Sequence, residues 1–123
     1  DSKLDVEGTV NIGGGNASEL NRDQTTTANL VPICYGCVSA AGTIHTAGST
    51  TNFTTIKTGT GVYEINISGV GVDYYNFTVS ATLIGPGPAF IVTGSANGHV
   101  TVNTFNTAGA ANDRAFYFVV YKP

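Results

Sequence analysis

The chain has 123 residues, enough for one folded domain with an apolar core of its own. Charged residues make up only 11% of it, glycine occurs 16 times and methionine is absent, a composition that disfavours helices and favours strands and turns. A formal net charge of −3 without any Lys/Arg run argues against nucleic acid and acidic lipid as partners. The sequence has no apolar stretch of the roughly 20 residues that a membrane-spanning helix needs, so membrane insertion is not predicted.

The N-terminal region is predicted to be separate from the rest. Residues 3–12 alternate apolar and polar side chains, which predicts an amphipathic strand with a bend or bulge at Gly8. Three glycines and a polar stretch follow, and this stretch holds too little apolar area to fold by itself. We therefore expect residues 1–29 to form a strand and an extended, stalk-like segment packed against something else, and residues 30–123 to form the head domain.

The head domain is predicted to be entirely β. Short runs rich in β-branched and aromatic residues alternate with turns rich in glycine, proline and asparagine. Phe53 and Ile56 are expected to face the core from one run, and Tyr75 from another. About eight strands follow from this spacing, at residues 30–38, 42–47, 51–57, 62–67, 75–83, 89–93, 99–105 and 115–121. The pattern predicts an all-β, antiparallel β-sandwich of the jelly-roll type without a helix.

The last predicted strand, residues 115–121, is apolar on both faces. Phe116, Phe118 and Val120 point to one side, whereas Tyr117 and Val119 point to the other. A strand of this kind must be covered twice, once by the second sheet of its own domain. The second cover is either a neighbouring subunit or more of the same chain. We expect oligomerisation, because a symmetric homo-oligomer would bury the remaining aromatic surface.

Several short motifs resemble those of known trimeric heads. Phe53, the turn before Gly61-Val62-Tyr63 and the ending Asp113-Arg114-Ala115-Phe116-Tyr117-Phe118-Val119-Val120-Tyr121 resemble the globular heads of complement and tumour-necrosis-factor-like proteins. With the N-terminal segment Leu4 to Ile12 preceding a C-terminal β head, the chain resembles even more the head domains of bacterial and phage fibre proteins. The head is short for a ten-stranded jelly roll, which leaves room for one strand pair fewer, and nothing in the chain is collagen-like.

The resemblance implies a homotrimer at the tip of a fibre, with the last strand near the three-fold axis. It also implies an extracellular place, on a cell surface or a virion, and a surface glycan or a protein receptor as the partner. We accordingly expect five residues of the last strand at the oligomer interface: Phe116, Tyr117, Phe118, Val119 and Tyr121.

Two cysteines, Cys34 and Cys37, are separated by Tyr35 and Gly36. A redox motif with this spacing belongs at a helix N-terminus, and no helix is predicted here. Positions three apart in a strand face opposite sides, so a shared metal site or a disulfide would need a turn between them. We expect no metal and no cofactor, and inert thiols, although the sequence leaves a short-loop disulfide open.

Enzymatic catalysis is not predicted. The chain has two histidines and scattered acids, but no nucleophile elbow and no paired-carboxylate motif. Glu64 is expected on a solvated strand face and His99 at an exposed strand start. No catalytic residue is therefore assigned, and an enzyme would have to work through His99 or Asp73.

Ligand binding is the preferred hypothesis, with the site in the loops at one end of the sandwich. Sugars are held by amide, carboxylate and guanidinium groups beneath an aromatic ring, because a pyranose has polar rims and apolar faces. Turn residues of this type also occur for backbone reasons alone. The candidate ligand-binding residues are Asp73, Tyr74, Asn76, Asn97, His99, Asn112, Asp113 and Arg114. The sequence thus predicts a lectin-like, adhesin-like or tail-fibre recognition head, with a purely structural trimerising cap as the alternative.

Overall fold

The computed structural model describes Glu7 and residues 31–122. These residues form two antiparallel sheets packed face to face, which confirms the predicted all-β sandwich. The predicted N-terminal strand and stalk-like segment lie outside the described residues except for Glu7, and the two-part division of the chain stays a prediction. The strands are β1 (Cys34–Val38), β2 (Phe53–Gly59), β3 (Val62–Ile67), β4 (Thr78–Leu83), β5 (Phe90–Ala96), β6 (His99–Phe105) and β7 (Phe116–Tyr121).

The first sheet has three strands in the order β1-β7-β4, and the second has four in the order β2-β3-β6-β5. The final strand therefore lies in the middle of the first sheet, where Val120 faces Cys34 on one side and Val79 on the other. In the second sheet, β3 is central and Tyr63 lies opposite Val102 of β6. Tight hairpins join β2 to β3 and β5 to β6, whereas longer connections cross between the sheets.

The core fills the space between the sheets and follows the alternation of the strands. Phe116 and Phe118 of β7 are buried there, and each packs edge-on against an aromatic ring from the second sheet. The ring centroids of Phe118 and Phe53 are 5.0 Å apart, and those of Phe116 and Tyr63 are 5.2 Å apart. Such T-shaped pairs add stability beyond the apolar area that they bury.

This core corrects part of the interface prediction. Phe116 and Phe118 were expected at a subunit interface, but β7 directs both rings into the protomer's own core. The physical reason is the two-residue period of a strand, which sends only alternate side chains outwards. The other three residues of the predicted interface, Tyr117, Val119 and Tyr121, lie on the outer face of the first sheet.

The predicted strand at residues 42–47 does not form. One isolated bridge joins Ile44 to Val38, and residues Thr46–Gly48 form a short 3₁₀ turn where no helix was expected. The backbone instead runs along the free edge of β1, with His45 N–H donating to the Cys37 carbonyl at 2.9 Å. Gly42, with φ of +86°, turns the chain back towards β1, and the Thr46–Gly48 turn ends the pairing after one bridge, so the segment covers the edge of β1 without becoming a regular strand.

Two predicted facings are also wrong. Ile56 lies on the outer face of β2 and is more than half exposed, because it is three residues from the buried Phe53 and so points to the opposite side. Tyr75 is 79% exposed, since the chain is still turning at that position and β4 begins only at Thr78. The remaining differences in strand bounds lie at the ends of β1, β2, β5 and β7.

The strands create two distinct ends of the sandwich. The Tyr75 end consists of the loop at residues 68–77, the β5–β6 turn at residues 97–98 and the end of β7. The Asp113 end consists of the β2–β3 turn, the β4–β5 loop at residues 84–89 and the loop at residues 106–115.

Candidate functional site

The predicted ligand-binding residues are divided between the two ends of the sandwich. Asp73, Tyr74, Asn76 and Asn97 lie at the Tyr75 end, together with the first residue of β6, His99. Asn112, Asp113 and Arg114 lie at the Asp113 end, one strand length away. The structure thus does not bring all eight residues to one site.

At the Asp113 end, the polar side chains hold loops together. Asp113 Oδ1 accepts a hydrogen bond of 2.7 Å from the Gly61 backbone N–H, and Oδ2 lies 3.2 Å from Lys57 Nζ. Mainly the Gly61 hydrogen bond, with further help from Lys57, lowers the pKa of Asp113 below its ordinary value. Arg114 Nη2 donates to the Pro86 carbonyl at 3.1 Å. Each charged group at this end therefore has a structural partner.

Asn112 also has a structural role at this end. Its backbone N–H donates to the Thr104 carbonyl at 3.0 Å, and its carbonyl accepts from the Thr104 hydroxyl at 2.6 Å. Thr104 is buried, so Asn112 satisfies a polar side chain in the core. Residues 112–114 thus connect the loop before β7 to β6, to the β2–β3 turn and to the β4–β5 loop.

At the Tyr75 end, the loop before β4 is anchored to the β5–β6 hairpin. Val72 N–H donates to the Gly98 carbonyl at 2.8 Å, and Tyr74 N–H donates to Ser95 Oγ at 2.9 Å. Asp73 Oδ1 accepts from Tyr75 N–H at 3.1 Å, which makes a turn of the Asx type. These bonds fix the backbone from which the two tyrosines project.

Tyr74 and Tyr75 form an exposed aromatic pair. Their ring centroids are 4.1 Å apart with an interplanar angle of 37°. Both rings are mostly exposed to solvent. The side-chain interaction with Tyr75 raises the pKa of Tyr74, with smaller effects of desolvation and of the Asp73 charge. Tyr74 therefore remains a neutral phenol around neutral pH, able to donate and to accept hydrogen bonds.

A hollow opens on the Tyr75 side of this pair. We call it the Tyr75 groove, and its volume is about 700 Å³. Lys122 follows β7 and reaches this groove, where its Nζ lies 5.9 Å from the Phe77 ring centroid. The lining residues are Gly69, Val70, Gly71, Tyr75, Asn76, Phe77, Thr78 and Lys122.

A second hollow of about 310 Å³ lies on the other side, between β4 and β5. Tyr74 and Phe77 line it together with Thr93 and Gly94 of β5. Phe77 and Thr78 line both hollows, whereas Tyr75 lines only the first and Tyr74 only the second.

Sequence reasoning missed Lys122, Phe77 and the role of Tyr75 in this groove. Of the residues that line the groove, Asn76 is the one among the candidate ligand-binding residues predicted from the sequence. Lys122 is 46 residues beyond Asn76 in the chain, and the pairing of Thr78 with Tyr121 at the end of β7 brings it beside the loop.

The other two predicted residues of the Tyr75 end face elsewhere. Asn97 has φ of +53° in the β5–β6 turn, a conformation that asparagine tolerates well. His99 Nδ1 lies 3.3 Å from Glu64 Oε2 on the outer face of the second sheet. Neither residue lines the grooves described above.

The cysteines are free and point to opposite faces of β1. Cys34 is buried in the core, where Thr50 Oγ1 contacts its sulfur at 3.6 Å and desolvation raises its pKa. Cys37 is half-buried on the outer face of the first sheet. Within the described residues, no group of three or more His, Cys, Asp or Glu side chains is placed to hold a metal ion.

The outer face of the first sheet carries the other notable surface. Tyr117 is 54% exposed and Tyr35 is 47% exposed, and Val119 and Tyr121 are half-buried on the same face. Val119 lies opposite Tyr35, and Tyr117 lies opposite Cys37. We call these side chains, Tyr35, Cys37, Tyr117, Val119 and Tyr121, the tyrosine face.

Comparison with known proteins gives no relative to set beside this geometry. No protein-family model matches the chain, and neither the curated proteins nor the solved structures contain a match. Among residues 31–122, no helix is long and apolar enough to cross a membrane.

Proposed function

We propose that this protein is a non-enzymatic, homotrimeric recognition head that binds carbohydrate at the Tyr75 end. The observation that carries the proposal is the exposed Tyr74–Tyr75 pair beside the 700 Å³ groove. A fibre tip on a cell surface or a virion is the setting that suits such a head. Its partners would be two further copies of itself and a glycan on the target surface.

The chemistry of the Tyr75 groove matches that of a sugar. A pyranose ring has apolar C–H faces, for which the mostly exposed Tyr75 ring offers a flat surface. The hydroxyl rim of a sugar needs donors and acceptors, and Asn76 and Thr78 line the groove with both. The loop that presents these groups is fixed by hydrogen bonds to the neighbouring hairpin, so little conformational entropy is lost on binding.

The tyrosine face supports self-association. Burying one large aromatic or aliphatic side chain contributes roughly 1.5–3 kcal/mol. Tyr117 and Tyr35 present such area on a sheet face that no other described element covers. A closed ring of three copies would bury this area in each protomer and would give the glycan-binding ends a common orientation.

A glycan array probed with the full chain tests the binding proposal. We expect specific glycans to be retained, and we expect Tyr75→Ala to lose about tenfold or more in affinity, because an aromatic binding anchor is removed. Phe90→Ala is the matched control, since Phe90 is also an exposed aromatic residue but lies on the outer face of the second sheet. An array without any bound glycan would overturn the proposal.

The second candidate is a structural cap that trimerises without binding a ligand. The tyrosine face favours it, because that surface requires only sister subunits. A protein that trimerises but gives a blank array and shows no stabilisation by sugars would establish this alternative. If the protein does bind a sugar, that sugar at one hundred times its dissociation constant should raise the free energy of unfolding by about 2.7 kcal/mol.

A further inference from the structure

We infer that the Tyr75 groove selects acidic sugars and that Lys122 binds the sugar carboxylate. This inference rests on the carbohydrate-binding function proposed above and specifies its ligand class. A uronic or sialic acid unit would place its carboxylate against the Lys122 ammonium and its ring over Tyr75.

The charge pattern of the described residues singles out Lys122. Lys57 is paired with Asp113, and Arg114 donates to the Pro86 carbonyl. Lys122 has no carboxylate within ion-pair distance among residues 31–122. Of the lysine and arginine residues in that range, Lys122 is the one that lines the groove, and its Nζ lies beside the Phe77 ring instead of an oxygen acceptor.

Lys122 is the charged residue among the described residues that line the groove, and none of these lining residues is an aspartate or a glutamate. Asp73 is the acidic residue of the loop that lines the groove. Its carboxylate accepts a hydrogen bond from the Tyr75 N–H, and Asp73 does not line the groove. A carboxylate entering here would meet an ammonium, an amide and a hydroxyl, and no fixed negative charge within the lining.

Lys122 is also positioned by its neighbours. Its Nζ lies 5.9 Å from the Phe77 ring centroid, within the range of a cation–π contact. Phe77 in turn packs against the core, which gives the ammonium a fixed support at the groove wall. A partly ordered ammonium loses less side-chain entropy on pairing with a ligand than a freely moving lysine does.

The experiment measures binding of paired probes that differ only in charge. The probes are 3′-sialyllactose and trigalacturonate as free acids, their methyl esters, and the neutral sugar lactose. We expect wild-type protein to bind at least one free acid about tenfold more tightly than its ester, because a charge-assisted hydrogen bond is lost on esterification. The preference should shrink as the salt concentration rises.

Variants then assign the preference to one residue. Lys122→Gln should reduce the affinity for the acid about tenfold, to that for the ester, and Lys122→Arg should retain most of it. Lys57→Gln is the matched control, because it removes the same charge at the opposite end of the sandwich. Equal thermal stability of the Lys122 variants and wild type would exclude a folding effect.

The outcomes separate the inference from the proposed function. Equal affinity for acids and esters, or an acid preference that survives Lys122→Gln, overturns the inference while leaving carbohydrate binding in place. Absence of binding to acidic and neutral probes, together with a blank array, overturns the proposed function itself.

Discussion

At the scale of single residues, Asp113 connects two turns at the end opposite the groove. Its carboxylate accepts the Gly61 N–H and pairs with Lys57, and the pKa of Asp113 is lowered in the folded protein. A folded pKa below the unfolded value of about 3.9 means that the charged group stabilises the fold above that pH. The stabilisation is lost as the pH falls through the lower, folded pKa.

We therefore expect Asp113→Asn to reduce stability most above about pH 4 and to approach wild type in stronger acid. Thermal unfolding followed from about pH 6 down to about pH 2 measures the difference between the two proteins. Lys57→Gln is the control, because it keeps the hydrogen bond between Asp113 and Gly61. This variant should therefore still lose most of the Asp113-dependent stability on acidification. A difference that stays constant over this range would contradict the role of the charge.

Gly61 offers a second test at this end, since its backbone conformation and its surroundings both exclude a side chain. Its φ is +66°, and a Cβ there would overlap the Thr104 carbonyl oxygen. Gly61→Ala should therefore cost about 3 kcal/mol or more in the free energy of unfolding. Gly69→Ala should cost only about 1 kcal/mol, because Gly69 also has a positive φ but no atom within 4 Å of a Cβ. Equal losses in urea unfolding would show that the close approach at Gly61 has no energetic effect.

Sequence alone could not tell structural from ligand-binding polar residues. Asp113 and Arg114 have the composition of a sugar site, but their partners, Gly61 and Pro86, come from turns far away in the chain. Asp73 and Tyr75 belong to a similarly polar run, yet here the aromatic ring is left exposed at a groove. Both runs are polar turn segments of the kind that can bind a sugar, and the contacts made through strand pairing distinguish them.

At the scale of elements, β7 has two faces with different surroundings. Phe116 is fully buried and packs on Tyr63, whereas Tyr117 is more than half exposed. Phe116→Ala should lower the free energy of unfolding by about 3–5 kcal/mol, since it leaves a cavity in the core. Denaturant unfolding measures this loss, and a change below about 1 kcal/mol would contradict the core assignment.

Tyr117→Arg should instead act on assembly. A charge on the tyrosine face would be desolvated at a subunit interface, so we expect this variant to sediment as a smaller species than wild type. Phe90→Arg places the same charge on the outer face of the second sheet, and its solution mass should not change. If Tyr117→Arg retains the wild-type mass, the tyrosine face is not the contact between subunits.

Strand existence was largely predictable, because strict alternation marks a strand that has one buried face. The runs that became β3 and β6 lie within the predicted bounds, with Tyr63 and Val102 buried as the period requires. The alternating pattern predicted strand residues wrongly at two places where a turn interrupts the extended backbone. The Asx turn at Asp73 delays β4, and the 3₁₀ turn at Thr46–Gly48 limits the predicted strand at residues 42–47 to one bridge with β1.

At the scale of the whole molecule, the sandwich places the proposed binding groove and the proposed assembly surface at different positions. The Tyr75 groove opens at one end, and the tyrosine face lies on the side of the first sheet. A ligand at the groove would therefore leave that sheet face free for sister subunits. The sequence predicted this architecture as a class but not the division of its polar loops between two ends, which depends on long-range strand pairing.

Sedimentation equilibrium of the full chain measures whether sister subunits cover the tyrosine face. We expect a species of three times the 12.6 kDa chain mass, stable across micromolar protein concentrations. A well-behaved monomer of 12.6 kDa over the same concentrations would contradict it.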